Sequence, residues 1–474
     1  MAIIDELLGI AKPLGDSVRI KEGPQVTVRD PDHVRSNIEA IVRKAVLGGQ
    51  REKPLAQWLV RALALELGAI PASIHDFYTA RGTGRTPDDF TVPAMNLRAL
   101  PYHAARAVFR AAVEGESCAF IFEIARSEMG YTDQRPSEYS SAILGAAIAE
   151  GYQGPVFIQG DHFQVSAGRY AQDPQQELKA IQDLIEESIA AGFFNIDIDT
   201  STLVDLNQET ILEQQRANYT LSAEFSAFVR RAEPENVTIS LGGEIGEVGG
   251  QNSTEPELRA YMDGFNDEFS KLNSDYEGLS KISIQTGTSH GGIVLPDGSI
   301  AEAKVDFNTL SELSKVAKEY GMGGAVQHGA STLPDEAFPK FAEANALEVH
   351  LATGFQNILY DLLPEDLRSE IYTYLDKKHD DERKEGQSDE QFYYKTRKRA
   401  IGPFKSQLWD LPVDAIAKIA AAWEAQFRAL FKRLNVVDTR TMVEAVFNPV
   451  IVDPSLKQYL SDSGGEEDVS DLAD

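Results

Sequence analysis

The sequence predicts an α/β chain closed as a (β/α)8 TIM barrel. From Thr91 onward, short apolar runs alternate with stretches of helical periodicity, and the runs number eight. They are apolar on both faces, as strands buried inside a parallel sheet should be. In order they are Val92–Leu97, Cys118–Ile124, Pro155–Gln159, Phe194–Ile198, Val237–Leu241, Ile282–Ile284, Gly324–Gln327 and Leu347–Leu351. Helical stretches such as Gln176–Ala191 and Thr309–Tyr320 follow them. An open doubly wound sheet would not need eight units, and no G-x-G-x-x-G follows the first run.

Residues 1 to about 90 read as a helical extension. Helical spacing marks Val34–Val46 and Leu55–Leu67, broken at Gly48–Gly49, and the polar stretch Ala80–Asp89 reads as a linker. The barrel spans 91–357. A charged helical region covers 358–460, and the acidic segment 461–474 has the composition of a disordered tail.

Net charge is −29, from 45 basic and 74 acidic residues. Such a surface repels phosphate backbones, so nucleic acid and anionic membranes are not expected partners. Cys118 is the single cysteine, which excludes a disulfide within the chain and a cysteine-based zinc cluster. The segment MAIIDELLGI lacks the basic start of a secretory signal, and no run is long enough to span a bilayer. A cytoplasmic location is expected.

Four of the eight histidines fall at the C-terminal ends of expected strands: His162, His290, His328 and His350. In a barrel these ends converge on one face, where active sites lie. Three imidazoles, His162, His290 and His328, fill three positions of a tetrahedral zinc site and leave one open. Glycines flank them at Gly160, Gly287, Gly291, Gly292, Gly329 and Gly354, where backbone amides can approach an anion. Gly291 and Ser331 are the expected phosphate side. Carboxylates converge as well: Asp161 follows the third run, Asp197 and Asp199 end the fourth, and Glu244 and Glu247 follow the fifth.

Six motifs in order resemble the class II, metal-dependent ketose-bisphosphate aldolases of the fructose-bisphosphate type. They are Pro93-Ala94-Met95-Asn96, Asp161-His162, Ile198-Asp199-Thr200-Ser201, Glu244 to Gly250, Gly287-Thr288-Ser289-His290-Gly291 and His328-Gly329-Ala330-Ser331. Two departures stand out. His350-Leu351-Ala352-Thr353-Gly354 replaces the family's N-I-D-T-D, and Gln251 and Asn252 stand where acidic residues follow the glycine pair. The stretch Glu123–Thr132 is similar to the non-catalytic subunit of tagatose-bisphosphate aldolase.

The resemblance implies a lyase that cleaves a ketose 1,6-bisphosphate to glycerone phosphate and glyceraldehyde 3-phosphate, with a place in glycolysis or gluconeogenesis. Fructose 1,6-bisphosphate is the default substrate, with the tagatose isomer close behind. A Zn2+ ion or another divalent metal would stabilise an enediolate, with a monovalent cation as a further possible cofactor. Asp161 would take the C4 hydroxyl proton, and Glu255 or Glu247 would serve C3. Glu255 also suits the start of a helix, where the dipole favours an acid. Glu244 joins the metal shell. Gly291, Ser331, Thr353, His350, Asp199 and Arg397 form the substrate- and phosphate-binding set. Arg397, Lys398 and Arg399 precede an apolar-faced helix, Val413–Leu434, and point to a homodimer or larger homo-oligomer. No Schiff base is expected, because no lysine lies in the expected strands. The alternatives are a non-catalytic barrel subunit and a metal-dependent hydrolase on the same scaffold.

Overall fold

The computed structural model describes residues 2–246, 251–287, 295, 305–461 and 472. Eight parallel strands close a barrel: β4 (Val92–Asn96), β5 (Ile121–Ala125), β6 (Gly154–Gln164), β7 (Asn195–Asp199), β8 (Ser240–Glu244), β9 (Lys281–Ile284), β10 (Ala325–Gln327) and β11 (Glu348–Leu351). Each pairs in parallel with its sequence neighbour, β11 returns to β4, and β6 joins β7 to complete the ring. Every expected run lies at a strand, with shifted ends. The fifth moves toward its C-terminus, because its hydrogen-bond partners are Asn195–Asp197 on one side and Lys281–Ser283 on the other.

Strand β9 begins one residue before the expected run and so contains Lys281, which corrects the expectation of strands without lysine. Its side chain is fully buried inside the barrel. There Lys281 Nζ donates to Glu348 Oε1 at 2.6 Å, Gln159 Oε1 at 2.7 Å and Asp197 Oδ2 at 2.9 Å. Two carboxylates offset the burial of the ammonium, which alone would favour the neutral amine, and its pKa ends above that of an ordinary lysine. A protonated amine is no nucleophile, so this network keeps Lys281 from forming a Schiff base.

The first ninety residues carry strands as well as helices. A hairpin pairs β1 (Val18–Lys21) with β2 (Gln25–Val28), between the N-terminal helix Ala2–Ile10 and helices Pro31–Leu47 and Glu52–Glu66. Strand β3 (Ala69–Ala72) then pairs in parallel with the lower half of β6, from Ala69 against Gly154 to Ala72 against Phe157. The Asn195 side chain clamps the junction: it donates to Ala72 O and Ile158 O and accepts from Ile74 N. Helix His75–Gly82 follows and places the Tyr78 hydroxyl against Glu348 in the barrel interior. Arg81 is buried within the stretch expected as a linker, donating to Phe90 O and Ala346 O.

Beyond the barrel, helix Val413–Arg433 turns Ile419, Trp423, Phe427, Leu430 and Phe431 inward. It packs on helices Pro101–Glu114 and Thr353–Leu362, so its apolar face is used within the chain. Among the described residues no helix is long and apolar enough to cross a membrane. Most of the acidic segment 461–474 lies outside the described residues.

Candidate metal centre and active site

The third strand decides the site's geometry. Between Gly160 and Phe163 the β6–β7 register slips by one residue, a bulge. The extra residue lets the adjacent Asp161 and His162 both face the cleft at the C-terminal end of the barrel. His162 takes a left-handed backbone conformation (φ 41°), uncommon for a non-glycine residue. Gly160 is needed there because a Cβ would meet the Phe163 ring at 2.3 Å.

The two imidazoles meet above the strand ends. His162 Nδ1 faces Asp199 Oδ2 at 3.1 Å, and His328 Nε2 faces Ser283 Oγ at 2.9 Å. With those nitrogens donating, His162 Nε2 and His328 Nδ1 point at one another across 2.9 Å. Two imidazole lone pairs repel at that distance unless a proton or cation is shared between them. Asp161 Oδ1 lies 3.7 Å from His162 Nε2, and Glu244 Oε2 lies 3.6 Å from His328 Nε2. Asp161, His162 and His328 thus bring three ligand atoms within 4.8 Å of one another. The pair of imidazoles, with the Asp161 carboxylate beside it and Asp199 orienting one ring, fits a divalent cation. His290, the third expected imidazole, lies outside the described residues, as do Glu247 and Gly291.

Electrostatics agree with a cation site. Burial disfavours the His162 cation, but Asp161, Asp199 and Glu244 outweigh it and lift its pKa to about 10. Burial likewise opposes the Asp161 anion, yet His162, His350 and His328 hold its pKa well below the usual carboxylate range. Glu244 is pushed up to about 8, by burial first and by Asp199 next. The lobe is rich in negative charge and retains protons that a metal would displace.

A cleft of about 560 Å3, open solvent included, lies over this centre. Ser331, Thr332, Thr353 and Gly329 line one part of it, beside the start of helix Thr353–Leu362, where amide groups favour an anion. Asn96, Arg98, Glu128 and Gln164 line another part. Asn96 Nδ2 donates to Asp161 Oδ2 at 3.0 Å and to Glu128 Oε2 at 2.8 Å, and Arg98 Nε donates to Glu128 Oε1 at 2.5 Å. In the sequence Asn96 stands out only as part of a motif, and Arg98, Glu128 and Gln164 do not stand out as site residues. Their signal was position, at or just past the ends of the first three barrel strands.

Two expected residues sit elsewhere. Glu255 begins helix Glu255–Leu272, half-exposed, and pairs with Arg259 at 2.8 Å. Arg397 is buried under Tyr360 and Tyr394 and donates to Asn357, and it does not line the cleft. His350 does line it, but its ring nitrogens face Asp161 Oδ1 (3.2 Å), Glu123 Oε1 (3.2 Å) and Glu348 Oε1 (2.6 Å).

The family model for class-II fructose-bisphosphate aldolases matches residues 86–407, well over half the chain. The chain belongs to the class-II fructose-bisphosphate aldolase family. No curated protein sequence matches it significantly. Among solved structures it is similar to a fructuronate-tagaturonate epimerase from Cohnella laeviribosi, at 11% identity over 89% of this chain and 90% of that one, with a TM-score of 0.54. It is also similar to a probable tagatose 6 phosphate kinase from Sinorhizobium meliloti, at 15% identity over 78% and 99%, TM-score 0.52. A putative fructose-1,6-bisphosphate aldolase from Coccidioides immitis matches at 17% identity over 77% and 96%, TM-score 0.45. At these identities the first two likenesses speak for the fold alone. On the eighth strand, the buried side chains of Glu348 and His350 point into the barrel.

Proposed function

We propose that this class-II aldolase family member is a metal-dependent lyase that cleaves the C3–C4 bond of a ketose 1,6-bisphosphate, with fructose 1,6-bisphosphate the first substrate to test. The observation that supports it most is the His162–His328 nitrogen pair beside an ionised Asp161. A divalent cation, zinc being the first to test, held by His162, His328 and His290 with Glu244 alongside, would supply a Lewis acid for the substrate's carbonyl oxygen. Asp161 takes the proton from the C4 hydroxyl; Asn96 and His350 hold its two oxygens. Asp199 keeps the His162 ring in orientation. Ser331 and Thr353 bind a phosphate at the start of helix Thr353–Leu362, with Gly291 as the further expected phosphate contact. The surface pairing of Glu255 with Arg259 suits a helix-start charge. That leaves Glu247 as the other candidate for the C3 proton.

Aldol cleavage by the purified chain, measured while metal is removed and titrated back, tests this reading. Cleavage should track one tightly bound metal per site, and His328→Ala should lose both metal and turnover while the circular dichroism spectrum is kept. A fully metal-loaded chain that cleaves neither ketose bisphosphate would overturn the reading in favour of a non-catalytic barrel subunit. Light scattering tests the homodimer or larger homo-oligomer expected from the sequence, and a monomer at micromolar concentration counts against it.

A further inference from the structure

His350 occupies a place that the sequence assigned to substrate binding. Its surroundings are those of a strut. The ring is buried, 4% exposed, and both nitrogens are committed to carboxylates. Nδ1 faces Asp161 Oδ1 at 3.2 Å, and Nε2 faces Glu348 Oε1 at 2.6 Å. Glu348 is fully buried and is itself gripped from below. Lys281 Nζ donates to it at 2.6 Å, Gln159 Nε2 donates at 3.0 Å, and the Tyr78 hydroxyl donates from helix His75–Gly82. A continuous chain of polar contacts therefore runs along the barrel from Tyr78 through Glu348 and His350 to Asp161. With neither ring nitrogen available, His350 has no hydrogen bond to offer a substrate.

We infer that His350 is a positioning residue: it holds the Asp161 carboxylate against the metal centre and is braced by Glu348, Lys281 and Tyr78. The inference rests on the reading of Asp161 as the group that takes the C4 proton. Its physical basis is orientation. A carboxylate with one oxygen on Asn96 and the other on His350 has one rotamer, and a general base held in place supplies rate that a swinging one does not.

The test uses the metal-loaded full-length chain. His350→Leu should lower kcat by about 10²-fold, the lower range for a positioned base, with KM and bound metal little changed. His350→Asn, whose amide can still donate to Asp161, should recover a large part of that loss. A residue that binds substrate would instead raise KM, and a purely structural one would lower the bound metal or the fraction folded. Tyr78→Phe, at the far end, should lower kcat by a smaller factor in the same direction. A second readout needs no turnover. With histidine labelled in nitrogen-15, both ring N–H signals of His350 should resist exchange with solvent. Asp161→Asn should shift the Nδ1 signal and Glu348→Gln the Nε2 signal. A rise in KM at constant kcat, or histidine signals that neither substitution moves, overturns the strut. If the wild-type chain proves inactive, the lyase reading falls and the spectrum alone decides the strut.

Discussion

Each titratable side chain in the cleft is set by its neighbours, and His162 shows this most clearly. In the metal-free protein its folded pKa is about 10 against an ordinary 6.5, because Asp161, Asp199 and Glu244 outweigh its burial. A raised folded pKa means that the folded state holds a proton the unfolded chain has lost, throughout the interval between those values. Stability contributed by that proton is complete below 6.5 and is lost as pH rises toward 10. Thermal melts of the chelated protein should therefore fall across this window, and His162→Gln should flatten the fall. Metal competes with the same proton, so metal affinity should rise with pH and binding should release protons, which calorimetry in buffers of different ionisation enthalpy reads directly. Melts of the chelated protein that are level from 6.5 to 10 would contradict the assignment.

At the scale of elements, the bulge in β6 is the feature on which the site depends. A regular strand alternates its side chains, so Asp161 and His162 would face opposite ways. One extra residue, a left-handed His162 and a bare Gly160 packed under Phe163 put both in the cleft. Gly160→Ala would drive a methyl into the Phe163 ring. It should cost about 1–3 kcal/mol of stability, as overpacked cores do, and should also lower metal occupancy because His162 is re-aimed. Urea unfolding and elemental analysis measure the two effects separately. A stable variant with full metal would show that the bulge tolerates the methyl.

Over the whole molecule, the barrel and the first ninety residues share one interior. Strand β3 covers part of the edge of β6, Asn195 joins the two, and Tyr78 reaches a carboxylate on the barrel axis. The core surrounding them is continuous from helix Pro31–Leu47 to helix Val413–Arg433. Removing residues 1–83 would expose unpaired strand groups on β6 and leave Glu348 without its tyrosine partner. The truncated chain should not unfold cooperatively and should aggregate. A sharp melt close to that of the full chain, followed by circular dichroism, would show instead that the barrel stands alone.

Periodicity and residue order carried a large part of this in the sequence. Eight doubly apolar runs determine a closed parallel barrel, because strands buried on both faces need helices outside and a filled interior. Histidines and carboxylates at the run ends determine where chemistry gathers, since strand ends of a barrel converge. Local rules do not reach further. Glu123, Lys281 and Glu348 read as interruptions in or beside apolar runs, and only the closed ring shows that they face one another across it. The bulge at Gly160–Phe163, the seating of β3 against β6 and the hold of His350 Nδ1 on Asp161 are likewise contacts between segments far apart in the chain. Arg397 and Glu255 make the same point in reverse. Their charge suits the site, but Arg397 is buried between two tyrosines and Glu255 is held by Arg259 one helical turn on. A sequence states which groups are present and with what period; which groups meet is decided by the packing that brings distant segments into one interior.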